Sequence, residues 1–215
     1  MRAVNLLTDK EVIQKSVSRK IIHIGTGPIF VLCWALFPEN PISRYLAALV
    51  PLLIVIQLLL VGKGVIADRT SILSMARTGE KLEVLRGPLL YGIVFVGITL
   101  LFWKTIHAVI ALMILCGGDG LADLIGSRVK SSKLPWAKQK TLAGTVAMFL
   151  GGFVFSFILI LLLKGTFLDQ FELVRVIPAL LVTAFMSAIV ESVTPSDWDN
   201  LSVPVAALLA SLLFL

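Results

Sequence analysis

Long apolar stretches alternate with short polar joints along this chain. Seven stretches, at about 21–37, 43–61, 88–103, 105–118 (or on to 127), 141–163, 174–194 and 201–215, carry few charges. Each approaches the ~20 apolar residues that a helix needs to cross a hydrocarbon core. The pattern predicts an all-α, polytopic integral membrane protein, a bundle of about seven transmembrane helices formed by a single membrane-embedded domain over residues 1–215. Residues 1–20 are polar and hold no apolar core of signal-peptide length, so no cleavable signal peptide is expected.

Composition supports this class. With 58% hydrophobic residues, 15% charged residues and a mean hydropathy of +0.98, the chain is excluded from the ordinary soluble domains. Its two cysteines, Cys33 and Cys116, fall inside apolar stretches and read as packing residues rather than a disulfide or a metal site. The charges predict an orientation. If the seven spans alternate from a cytoplasmic N-terminus, fifteen of the 19 lysines and arginines lie inside, five each in segments 1–20, 62–87 and 128–140. Only Arg44, Lys104, Lys164 and Arg175 lie outside, as the positive-inside rule requires. The same assignment gathers Asp119, Asp123, Glu191, Asp197, Asp199, Asn200, His23 and Arg86 at the cytoplasmic face, a mixed cluster from several segments that looks like an active site.

The segment GGDGLADLIGSRVKSSKLPWAKQKTLAG, Gly117 to Gly144, is the most informative part of that cluster. Asp119 and Asp123 are four apart and share a face if helical. Carboxylates set against an apolar stretch need water, a cation or a functional partner. Arg128, Lys130, Lys133, Lys138 and Lys140 follow. Such a set suits a divalent metal and a polyphosphate, and a solvated basic loop is the plainer alternative. Lys133 and Lys140 are the candidate phosphate contacts, whereas Lys130 and Lys138 read as surface charge. Thr141 and Gly144 stand where the next helix begins and where free backbone N–H groups attract anions; Thr141 reads equally well as a plain N-cap. Arg86, before Gly87-Pro88, either reaches the triphosphate or snorkels to lipid phosphate.

Glu191 sits inside the apolar pattern AFMSAIVESV and needs a partner: His23, a lysine of the loop or a second metal. Asp197, Asp199 and Asn200 form a second acidic group, with helix N-capping as the alternative for Asp199 or Asn200. His23, three residues beyond Lys20, faces the same side as Arg19 or Lys20 at the membrane surface; His107 has no comparable company. Gly25, Gly27, Gly92, Gly97, Gly151 and Gly152 either permit close helix approach or leave room for a lipid chain.

Four segments carry a resemblance: SRKIIHIGTG at 18–27, EVLRGPLLYG at 83–92, GGDGLADLIGSRVKSSKLPWAKQKTLAGTVAMF at 117–149, and ESVTPSDWDNLSVPVAALL at 191–209. The chain resembles the phytol kinase and dolichol kinase family of membrane-bound polyprenol kinases, more distantly related to the CDP-diacylglycerol synthases. The third and fourth segments match the phytol kinases in particular. The Gly-Arg usual after the second aspartate stands here as Gly126-Ser127-Arg128, a one-residue departure.

The resemblance implies transfer of the γ-phosphoryl group of CTP to the hydroxyl of a membrane-dissolved isoprenoid alcohol such as phytol or geranylgeraniol. It implies Mg²⁺ on Asp119 and Asp123, and a nucleotide held among Lys133, Lys140, Thr141, Gly144, Arg86, Arg128, Asp197, Asp199 and Asn200. Glu191 and His23 are then the candidates to serve the acceptor hydroxyl, and Glu191 would take its proton as general base. The partners expected are the alcohol, a nucleoside triphosphate and the bilayer, with no nucleic acid. The host membrane would belong to a photosynthetic organism. Two rivals stay open: a cytidylyltransferase using the same metal and triphosphate, and a small cation-coupled transporter. The second would place ionisable groups near mid-bilayer rather than at one surface.

Overall fold

In hydrocarbon, backbone N–H and C=O groups can be satisfied only within the helix itself, and each apolar stretch accordingly forms a helix. The computed structural model describes residues 15–76, 79–169, 171–196 and 198–215. The order is α1 (Lys15–Cys33, prolonged by a 3-10 turn at Trp34–Leu36), α2 (Ser43–Gly62), α3 (Arg69–Met75), a 3-10 turn at Lys81–Leu85, and α4 (Gly87–Leu101). There follow α5 (Ile106–Met113), a π-helical turn (Ile114–Asp119), α6 (Gly120–Gly126), a hairpin of β1 (Lys133–Leu134) and β2 (Ala137–Thr141), then α7 (Leu142–Leu163), α8 (Leu173–Val193) and α9 (Asp199–Phe214).

Among the described residues, five helical stretches are long and apolar enough to cross a membrane: Ser43–Gly62, Lys81–Leu101, Ile106–Gly126, Leu142–Leu163 and Leu173–Val193. The first and last expected spans are shorter apolar helices, Lys20–Leu36 and Asp199–Phe214. Five clear spans therefore stand beside the expected seven.

The centre of the bundle is the stretch from α5 through the π turn to α6. From Ala108 to Gly120 every residue is buried, as expected of a helix that is apolar all round. α7 packs along the π turn and α6, α9 along α5, and α8 between α7 and α9. Glycines set the closeness of this packing. A Cβ on Gly118 would lie 2.9 Å from Met148 Sδ and 3.0 Å from the Met148 carbonyl oxygen, and one on Gly151 would lie 2.7 Å from the Gly117 carbonyl oxygen. The π turn ends at Asp119, and such wide turns are frequent where a helix carries function.

Candidate active site

Asp119, the last residue of the π turn, is buried and faces α1, where His23 Nε2 stands 3.4 Å from its Oδ2 and 3.3 Å from the Leu115 carbonyl oxygen. In the neutral imidazole with its proton on Nε2, between these two oxygen acceptors, Nδ1 is the accepting nitrogen. α1 can come this close because Gly120 lacks a side chain: a Cβ there would meet Ile24 Cγ1 at 2.4 Å and His23 Cδ2 at 3.2 Å. Tyr91 of α4 supports the histidine. Its hydroxyl lies 3.1 Å from the His23 carbonyl oxygen, 2.9 Å from Thr26 Oγ1 and 3.0 Å from Cys116 Sγ, and its ring centre is 4.6 Å from the imidazole. One turn further along α6, the more exposed Asp123 pairs with Lys20 of α1.

A second group surrounds Lys140, the penultimate residue of β2. Its ammonium donates to Glu191 Oε1 and reaches Asp199 Oδ2 at 3.5 Å. Burial pulls Lys140 down, but the Glu191 carboxylate, and after it Asp199 and Asp119, more than offset this and hold the ammonium above its ordinary range. Glu191 thus takes a lysine of the loop as its partner. The hairpin that delivers Lys140 is fixed at both ends: Trp136 Nε1 donates to Ser192 Oγ at 3.2 Å, and Leu142 N donates to the Ser132 carbonyl oxygen at 2.9 Å.

Both groups line one cavity of about 790 Å³. At its polar end, five carboxylates (Glu83, Asp119, Asp123, Glu191, Asp199) meet three cations (Lys20, Arg86, Lys140). From there the cavity follows α1 past Thr26 and Phe30 to Trp34, fourteen residues beyond Lys20 or roughly 21 Å of helix at the usual rise. Ala47, Pro51 and Ile54 of α2 line its apolar arm. Aromatic rings close the far end, where the Trp34 indole lies 5.0 Å from Trp103 and Lys104 Nζ holds the Phe37 carbonyl oxygen at 2.8 Å. Among the described residues, four that line the cavity hold a buried polar atom with no hydrogen-bond partner: Thr145 Oγ1, Glu191 Oε2 and Asn200 Oδ1 at the polar end, and Trp34 Nε1 at the far end. Buried polar atoms are ordinarily satisfied, so three orphan oxygens gathered at one end point to a polar occupant there.

The structure brings together most of the residues singled out in the sequence and separates others. His23, Arg86, Asp119, Asp123, Lys140, Thr141, Gly144, Glu191, Asp199 and Asn200 all line the cavity. Lys133 and Arg128 do not: Lys133 is exposed on β1, and exposed Arg128 donates to the Leu124 carbonyl oxygen. The α7 N-terminus is no open anion site. Leu142 N is bonded to Ser132, Ala143 N to Ser131 Oγ at 3.1 Å, and Gly144 N to Thr141 Oγ1 at 3.2 Å, which makes Thr141 the N-cap. Gly144 serves packing, since a Cβ there would lie 3.1 Å from the Ala122 carbonyl oxygen. Asp197 lies outside the described residues. Lys20, Tyr91 and Thr145 are site residues that the sequence did not single out; Lys20 was legible from its spacing to His23, and Tyr91 as a polar ring in an apolar span.

Among the described residues no three histidine, cysteine or acidic side chains close round a metal position. The donors fit Mg²⁺ all the same. It favours one or two carboxylates with water and phosphate oxygens completing the shell, and Asp119 and Asp123 would be the carboxylates to hold it, beside a polar end with more negative than positive side chains.

Fold and site together define a polytopic, all-α membrane protein whose cavity joins a charged cluster to an apolar arm. No family model and no solved structure matches the chain. Curated relatives do. A protein named probable phytol kinase, chloroplastic, of Triticum aestivum is 36% identical over 216 residues, covering 99% of this chain and 72% of its own length. A probable phytol kinase 1, chloroplastic, of Glycine max is 36% identical over 211 residues (97% and 70%), and phytol kinase 1, chloroplastic, of Arabidopsis thaliana is 35% identical over 210 (96% and 69%). The chain belongs to the phytol kinase family.

Proposed function

We propose that this protein is a phytol kinase that transfers the γ-phosphoryl group of CTP to phytol or a similar isoprenoid alcohol such as geranylgeraniol. The observation that carries the reading is the single cavity, charged at one end and apolar along α1 and α2, which offers one compartment to a phosphorylated headgroup and another to an isoprenoid tail. The names of the relatives supply the acceptor, and the resemblance of segment 117–149 the nucleotide.

Phosphoryl transfer asks a protein mainly for positioning and charge compensation. A Mg²⁺ ion held by Asp119 and Asp123 would neutralise charge on the phosphate oxygens. Lys140, fixed by Glu191 and Asp199, offers its ammonium to the phosphates, and Arg86 adds a second cation to the cavity lining. Thr145 and Asn200 offer unsatisfied oxygens to the hydrogen-bond donors of the nucleotide. His23 stands where the polar end meets the apolar arm, its Nε2–H held by Asp119 and the Leu115 carbonyl, so that Nδ1 can accept the proton of the acceptor hydroxyl. That geometry favours His23 over Glu191 as the base, because Glu191 is already engaged by Lys140. The active face is assigned to the cytoplasmic side of the membrane, the side with the greater share of lysine and arginine, in a photosynthetic organism.

The test uses purified protein in detergent with phytol, Mg²⁺ and CTP labelled separately at the α- and γ-phosphorus. Label from γ in the lipid, with CDP released, is expected. Label from α with pyrophosphate released would make the protein a cytidylyltransferase, and absence of transfer to any prenol would favour the transport reading.

A further inference from the structure

α1 and α2 follow each other in the chain, yet they scarcely meet. α2 packs along α4, and α1 along the central helix, so the two part on either side of the apolar arm. Ile29 and Cys33 of α1 and Val50 of α2 line the cavity and are at the same time exposed on the outside of the bundle, Ile29 by 65% and Val50 by 57%. A side chain that is both wall and surface marks an opening. This one lies between two apolar helices whose outward faces are apolar, as at Leu32, Leu49 and Leu53.

We propose that the gap between α1 and α2 is a lateral portal through which the isoprenoid tail of the acceptor enters from the bilayer, and in which the tail stays while its hydroxyl meets His23. The proposal rests on the kinase reading. The occupant follows from the walls: Ile29, Cys33, Val50 and Ile54 present no charge, the bilayer is the medium that suits an apolar opening between apolar helices, and the arm is continuous with the charged end. A soluble substrate would have to cross hydrocarbon to use this route, whereas a membrane-dissolved alcohol already lies in it. The route also keeps the tail out of water and lets the polar end take up nucleotide independently.

Two measurements test it. In Ile29→Trp/Val50→Trp, which crowds the gap from both sides, the KM for phytol is expected to rise about tenfold while the KM for CTP stays within about twofold. An unchanged phytol KM would overturn the portal. In the unaltered protein, alkylation of Cys33 by N-ethylmaleimide, followed by mass spectrometry with buried Cys116 as internal reference, is expected to slow about tenfold at phytol concentrations well above its dissociation constant. An unaltered rate would likewise overturn the portal, even if the double variant failed to fold. Failure of the kinase reading is separate: it would show as no γ-label on phytol in the wild type, and protection of Cys33 would still decide whether prenols enter here.

Discussion

Asp119 serves two neighbours, and the two demands can be separated by chemistry. Its Oδ2 holds the His23 ring, which needs only an acceptor oxygen, while its charge faces the polar end, where a cation needs an anion. Asp119→Asn keeps the size and one acceptor oxygen but removes the charge. The variant is expected to fold with a ligand-free Tm near that of the wild type, to lose Mg²⁺-dependent stabilisation by CTP, and to fall by about two to three orders of magnitude in kcat/KM. Wild-type turnover in this variant would remove Asp119 from the metal site. At this scale the sequence was informative about identity and less so about place. Asp119, Glu191 and Lys140 stand out because charge beside hydrocarbon is costly. Lys133 and Lys140 look equivalent in the sequence, but a short hairpin exposes Lys133 and folds Lys140 inward, and that hairpin is held by Ser131 and Ser132 at the start of α7 and by Trp136 on Ser192, 56 residues along the chain.

The elements were legible wherever hydropathy alone decides them. The predicted spans at 43–61, 88–103, 141–163 and 174–194 fall within two residues of the observed helix ends, and the span at 105–118 runs on to Gly126 through the π turn. α3, the 3-10 turn at Lys81–Leu85 and the β-hairpin were not legible, since each is too short for a hydropathy pattern and is held by local bonds. Asp68, for example, caps α3 by accepting from Ser71 N at 3.0 Å while Gln57 of α2 donates to its Oδ2 at 2.9 Å. Nor does the sequence sort its glycines. Gly118 is locked against the α7 backbone, whereas a Cβ on Gly97 would meet nothing within 4 Å. Gly118→Val is therefore expected to cost about 1–3 kcal/mol or more through overpacking, and to abolish turnover by pushing Asp119 off line. Gly97→Ala is expected to leave Tm and activity unchanged or slightly raised, because alanine is the better helix former. Equal thermal shifts for the two variants would show that the close contact between the π turn and α7 does not hold the site together.

For the whole molecule, the distribution of charge says which way the cavity opens. The polar end, the exposed Lys130 just before the hairpin and the exposed hairpin lysines Lys133 and Lys138 lie on segments that carry most of the positive charge. On the segments at the opposite ends of the helices, two of the four cations are paired: Lys104 Nζ bonds Glu39 Oε1 at 2.6 Å, and Arg175 Nε lies 3.7 Å from Glu172 Oε2. Cations at the polar end are paired as well, Lys20 with Asp123 and Lys140 with Glu191, so pairing does not change the asymmetry; the count of lysines and arginines alone, through the positive-inside rule, supports the proposal that the hairpin and the polar end face the cytoplasm. With the protein expressed in a bacterial inner membrane, Lys138→Cys should react with a membrane-impermeant maleimide only in inverted vesicles. Lys164→Cys, just past the other end of α7, should react only in intact cells, with each site read separately by mass spectrometry. Labelling of the hairpin cysteine in intact cells would turn the molecule over: the polar end would face away from the cytosolic pool of nucleoside triphosphate, and the kinase reading would lose its supply of donor.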